Sequence, residues 1–199
     1  MEFAEVVKRR RMVRAYTDEP VDASMIERLL THARHAPSAG FSQGWAFLLL
    51  DRPEMLERFW AATTPEEERL GPWMQGMRGA PVIIVPLSCK RAYLDRYAEP
   101  DKGWTDRDES RWPAPYWDID TGMASLLILL DAVDQGLGAC FFGIPPDHIE
   151  RFRSEFGVPE EYTPIGAITV GHRIEDTGPE GSGARGRRPA DEVVHRGGW

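Results

Sequence analysis

DIDTGMASLLILLDAVDQ, residues 118 to 135, reads as one long helix that stops at Gly136, because glycine readily takes the left-handed turn that closes a helix. Its middle is apolar almost all the way round. No face can then be given wholly to water, so the helix has to lie inside the protein or inside a subunit interface, with Leu127 near the centre of the contact. GMASLLILL, from Gly122, is the longest apolar stretch, and it falls far short of the roughly 20 residues needed to span a bilayer. The rest of the chain therefore has to supply layers that cover this helix.

Apolar residues recur at helical spacing in Phe3 to Arg10, in Ala23 to Ala36 and in Arg151 to Phe156, which predicts amphipathic helices. Asp22 suits the N-cap of the second, and Pro37 ends it by disfavouring helical geometry in the residue before. WAFLLL, PVIIVPL, GACFFGI and IGAITVG are short apolar runs bounded by glycine or proline and read as buried strands. Helices and strands do not alternate strictly, so an α+β layer fold is expected rather than a doubly wound sheet. GLGACFFG follows a helix and precedes a strand, the reverse of a dinucleotide fingerprint. Gly136 and Gly138 read instead as a helix cap and a tight turn. The 199 residues fit one domain, 1–199, with EDTGPEGSGARG leading as a surface loop into a C-terminal arm, about 175–199.

Charge narrows the function. A formal net charge of -8 repels nucleic acid and anionic lipid, so neither is an expected partner. Nothing ahead of the first helix resembles a secretory leader, and a cytoplasmic protein is expected. Cys89 and Cys140 fit no zinc spacing and read as buried thiols. His32 and His35 lie three apart on a helix without a third ligand, so no metal is expected. The other histidines have no nucleophile motif beside them. Against this background KRRRMVRAY, residues 8 to 16, packs five cations into nine positions, and Arg185, Arg187 and Arg188 form a second cluster. Arginine offers a planar fork suited to a phosphate monoester. A solvated helix end and a solvated tail are the alternatives. In HAPSAGFSQGWAFLLL, a helix ends, a Ser-Ala-Gly-Phe-Ser loop follows and a strand begins; its serines and amides can edge a flat heteroaromatic ring or merely satisfy one another.

RRRMVRAY, APSAGFSQGWAF, GLGACFFG, IGAITVGHR and RGRRPADEVV, in this order, resemble the nitroreductase family of FMN-dependent oxidoreductases from about Val6 to Val194. The resemblance implies a nitroreductase-like α+β fold: a central mixed or antiparallel sheet flanked by helices, with a long buried central helix, in an intertwined homodimer. It implies FMN held at the interface, its phosphate and ribityl chain by Arg10, Arg11, Met12 and Arg14 and by Arg185 and Arg187. Pro37, Ser38 and Ala39 match the loop that reaches the partner's flavin ring, and Phe142 and Gly143 match the segment whose backbone amide points at flavin N5. A main-chain donor there stabilises charge as N5 is reduced, so no acid or base side chain is required for catalysis. The chain departs from the family at Met12, at Gly44 where proline is usual, and at Phe41 where a polar residue is usual.

The implied activity is NAD(P)H-dependent reduction of FMN, followed by ping-pong transfer to a small planar, electron-poor acceptor such as a nitroaromatic or quinone. A flavin-fragmenting or dehalogenating use of the same scaffold, and a non-catalytic flavin or deazaflavin binder, are the alternatives. Phe41, Tyr93, Trp104, Trp112 and Trp117 are the candidate substrate contacts. Most lie in an aromatic insertion, 89–118, whose rings either stack on a planar substrate or pack on one another.

Overall fold

The computed structural model describes residues 1–64, 71–174 and 185–199. The elements in chain order are α1 (Phe3–Arg9), α2 (Ala23–Ala33), β1 (Trp45–Leu50), α3 (Pro53–Thr63), α4 (Pro72–Arg78), β2 (Val82–Ser88), α5 (Lys90–Tyr97), α6 (Tyr116–Asp134), β3 (Gly138–Phe142), α7 (Ile149–Phe156), β4 (Thr163–Pro164) and β5 (Ala167–Gly171). The sheet runs β1-β2-β5-β3, with β4 paired to the end of β2, and every strand pair is antiparallel. This is the expected α+β architecture.

The continuous apolar run of β2 has a simple cause: both faces of the strand are covered. Val82 and Ile84 pack on one side with Ile26 and Leu29 of α2 and Ile128 and Ala132 of α6. Ile83, Val85 and Leu87 pack on the other with Phe59 and Trp60 of α3 and Phe152 of α7. Side chains alternate across a strand, so a strand buried on both faces shows no polar alternation.

α6 spans nearly the predicted range. At its end Gly136 takes φ +78, and the Leu137 N–H donates to the Ala132 carbonyl at 2.7 Å, which ties off a carbonyl the helix would leave bare. Gly138 is not a turn residue. It opens β3, and a Cβ there would lie 2.7 Å from Val13 Cγ1. Asp22 caps α2 through its backbone carbonyl, which accepts from Met25 and Ile26, and not through its side chain.

The all-round apolar character of α6 resolves into two opposed faces. Ala124, Ile128 and Ala132 are fully buried in the chain's own core, and Leu127 packs against that same core, so Leu127 is not at the centre of an outward contact. Tyr116, Ile119, Met123 and Leu126 are 36 to 47% exposed. Their spacing of three, four and three continues through Leu130 and Val133, the spacing that a helix-pairing stripe carries. Phe3 and Val7 of α1 are exposed as well, on a helix that packs against α6.

Of the expected C-terminal arm, 175–184 lie outside the described residues. From Arg185 to Trp199 every residue is exposed. The contacts within it are local: Arg188 bonds Glu192, and His195 stacks on Trp199. Among the described residues no hydrogen bond, ion pair or ring contact ties this arm to the body.

Candidate functional site

The basic cluster begins where α1 ends. Arg10 leaves helical geometry at φ -56, ψ 124, and the chain then runs beside β3, with Met12 in a parallel bridge to Ala139 and the Val13 N–H donating to the Ala139 carbonyl at 3.0 Å. Tyr16 pins this course. Its hydroxyl donates to the Val13 carbonyl at 2.6 Å and meets Thr169 Oγ1 at 2.9 Å, and burial pushes its phenol well above the ordinary value, so it stays protonated.

Arg10, Arg11 and Arg14 have no acidic partner among the described residues, although all four arginines of the aromatic insertion do. Arg11 Nη1 folds back on the Lys8 and Arg10 carbonyls, and Arg14 Nη1 on that of Met12; both side chains are exposed. Arg10 differs. It is half-buried, and its Nη1 is screened from solvent with no hydrogen-bond partner. A buried charged donor left unsatisfied is costly, and an anion bound at this corner relieves it. Arg185 and Arg187 are exposed, with no hydrogen-bond or ion-pair partner among the described residues.

The second cluster of expected site residues is the loop between α2 and β1. Three backbone positions in close succession have positive φ: Gly40 at 60, Phe41 at 56 and Gln43 at 49. Phe41 and Gln43 pay for that conformation, since a Cβ crowds the backbone there. Both serines serve the loop itself. Ser38 Oγ accepts from the Gln43 N–H at 3.0 Å, and Ser42 Oγ donates to the Ala39 carbonyl at 2.6 Å. Pro37 is exposed, and the Phe41 ring is 74% exposed.

What holds the loop was not visible as a motif. The Ala39 N–H donates to Asp120 Oδ2 at 2.8 Å, Arg96 Nε donates to the Gly40 carbonyl at 2.9 Å, and the Cys89 N–H donates to the Gly44 carbonyl at 2.8 Å. Close packing does the rest. A Cβ at Gly40 would lie 2.6 Å from Tyr97 Cε2, and one at Gly44 would lie 2.5 Å from Tyr93 Cε2 and 2.9 Å from the Cys89 carbonyl oxygen. Gly44, where the family resemblance led one to expect proline, is thus matched to Tyr93. Gly44→Ala is expected to destabilise the protein by about 1–3 kcal/mol through overpacking against an immovable backbone atom. Urea denaturation checks this, and a variant with wild-type stability would contradict the contact.

The aromatic insertion packs on itself. Trp112 is its hub, with Tyr97 at 4.5 Å, Trp104 at 5.6 Å, Tyr93 at 5.9 Å, Tyr116 at 5.6 Å and Trp117 at 6.2 Å between ring centroids, mostly edge to face. Ion pairs brace the outside: Arg96 with Asp101, Arg107 with Asp95 and Lys90 with Glu109. Tyr93 is fully buried, so its ring has no face open to a substrate. Trp104, Trp112 and Trp117 are half-buried.

At the end of β3, Phe142 stacks on Trp60 at 5.6 Å and meets Phe59 edge-on. Its side chain is therefore structural, while Gly143 lies exposed just beyond the strand. Cys89 and Cys140 are buried free thiols, and burial raises the Cys140 pKa, leaving it protonated and unreactive. His32 faces Asp131 at 3.2 Å, within an ion-pair cluster that includes Arg28.

A family model described as the nitroreductase family matches residues 7–172. A protein of Methanothermobacter thermautotrophicus, provisionally named NADH dehydrogenase/NAD(P)H nitroreductase, is 31% identical over 180 residues, covering 89% of this chain and 81% of its own. Among solved structures, NfrA1 of B. megaterium is similar with a TM-score of 0.78 at 18% identity, over 100% of this chain and 75% of that one. An FMN-dependent nitroreductase of Clostridium difficile R20291 is similar with a TM-score of 0.68 at 21% identity, over 98% of both chains. The chain belongs to the nitroreductase family and has its fold.

Proposed function

We propose that this protein is an FMN-dependent oxidoreductase that works as a homodimer, each site being completed by both protomers. The carrying observation is Arg10 Nη1, a screened cationic donor without a partner, in a corner where Arg11 and Arg14 also lack acids. A phosphate monoester fits that donor set, because it accepts several charge-assisted hydrogen bonds at once. Arg10, Arg11 and Arg14 would hold the phosphate, with Arg185 and Arg187 supplied by the exposed C-terminal arm. The backbone at Phe142 and Gly143 lies three to four residues farther along β3 than Ala139, roughly 10 Å at strand rise, and would offer its amide to the ring.

The dimer reading is supported by where the two clusters sit relative to α6. The ring loop is bonded at Asp120, whereas the arginine corner lies beside Gly138 and Ala139, past the far end of the helix. Asp120 and Asp134 are separated by roughly 20 Å of helix. One protomer therefore leaves its two half-sites far apart. Two α6 helices paired antiparallel along the Tyr116, Ile119, Met123 and Leu126 stripe would bring the loop of each protomer toward the arginine corner of the other. The exposed Phe41 ring would then be covered by the partner.

When bound, FMN would supply a hydride acceptor able to carry electrons from NAD(P)H to an electron-poor acceptor of the nitroaromatic or quinone type. The residues of this chain would hold and orient the cofactor; no side chain would be needed as acid or base. Anaerobic addition of NADH or NADPH to FMN-loaded protein is expected to bleach the visible flavin absorption, and a nitroaromatic or quinone is expected to restore it. Colour that neither nicotinamide removes would contradict the oxidoreductase reading. Flavin destroyed during reoxidation by oxygen would mark a fragmenting enzyme instead.

A further inference from the structure

The geometry points to Asp120 as a positioning residue for the flavin ring, acting through Ala39 and supported by Tyr93; this rests on the flavin reading above. Asp120 is 3% exposed. One of its oxygens, Oδ2, accepts two hydrogen bonds: from the Ala39 N–H at 2.8 Å and from the Tyr93 hydroxyl at 2.8 Å. Burial, and then the bond to this carboxylate, push the Tyr93 phenol well above its ordinary pKa, so the hydroxyl remains a donor throughout the working pH range. The carboxylate thus fastens the middle of a loop that does not rest in a relaxed conformation, given the positive φ of Phe41 and Gln43.

The same side of the loop is gripped by α5. Arg96 holds the Gly40 carbonyl, Tyr97 fills the space that a side chain at Gly40 would need, and Tyr93 does the same at Gly44. Arg96 is itself fixed by two bonds to Asp101, at 2.7 and 2.8 Å. The aromatic insertion is therefore a scaffold behind the ring loop: its clustered rings and ion pairs keep α5 in place, and α5 with Asp120 keeps Ala39 and Gly40 in place. Strained backbone persists only where its surroundings over-determine it, and a binding group is held accurately only when its supporting shell is itself bonded.

The test compares FMN with lumiflavin, which carries the ring but no phosphate, in equilibrium fluorescence titrations. Asp120→Ala is expected to weaken both ligands by the same factor, about tenfold or more for the loss of a bond to a charged acceptor. Asp120→Asn, whose amide oxygen can accept both bonds, is expected to recover most of the affinity. Tyr93→Phe keeps the ring packing and removes one donor, so it is expected to weaken both ligands equally and by less; it carries the test if Asp120→Ala does not fold. Wild-type affinity for both flavins in folded Asp120→Ala and in Tyr93→Phe would overturn the assignment. So would a loss confined to FMN, which would place the effect at the phosphate. Failure of the wild-type protein to bind FMN would sink the flavin reading itself, before any variant is compared.

Discussion

Arg10→Ala combined with Arg187→Ala is expected to lower FMN affinity by roughly a hundredfold to ten-thousandfold, since each guanidinium contributes charge-assisted bonds worth about 1.5–3 kcal/mol. Arg10 is the stronger member of the pair. Its Nη1 is already screened from water and unpartnered, so the protein has met part of the desolvation cost before any ligand arrives, and the anion collects the full interaction. Arg187 is exposed and contributes only when the C-terminal arm is drawn onto the site. Affinity for lumiflavin is expected to change little in this double variant, because neither residue is assigned to the ring. Fluorescence titration of both ligands checks it. Unchanged FMN binding would remove the phosphate from the arginine corner.

The second large effect is at the proposed dimer seam. Leu126→Asp is expected to convert the proposed dimer to a folded monomer that retains no flavin. In one protomer Leu126 is 47% exposed, so an aspartate there meets water and the fold survives. In the antiparallel pair two such carboxylates would be buried near the helix crossing, and an unpaired buried charge costs several kcal/mol. Leu127→Asp is a control with a different outcome: Leu127 packs against the chain's own core, so that variant is expected to lose the fold itself. Light scattering after gel filtration, with circular dichroism, separates the two. A yellow dimer of Leu126→Asp would contradict the seam.

Local periodicity made most of the fold legible. Helical spacing marked α1, α2 and α7; bounded apolar runs marked β1, β2, β3 and β5; and the reversed order of helix and strand around Gly138 excluded a dinucleotide fingerprint. These observations are all local: burial of one face writes a helical period, and burial of both faces writes a continuous apolar run, into neighbouring residues. Pairs distant in sequence leave no such trace. Asp120 stands among acids at the start of α6, and nothing in its neighbourhood says that its oxygen meets Ala39, or that Tyr93, 27 residues earlier, meets the same atom. The aromatic insertion was read with two outcomes because its composition suits both a stacking surface and a self-packed cluster; Trp112 at the hub favours the second. The outward face of α6 was likewise legible as apolar, but which of Leu126 and Leu127 pointed outward depended on how the helix seats on the core.

The central claim is that two chains together build a flavin site whose anionic end lies at the Arg10 corner. FMN content per chain, measured on gel-filtered protein reconstituted with excess FMN, tests it most directly. The account predicts one FMN per chain, carried wholly by the dimer fraction. A colourless dimer, or flavin eluting with monomer at the same stoichiometry, would contradict it.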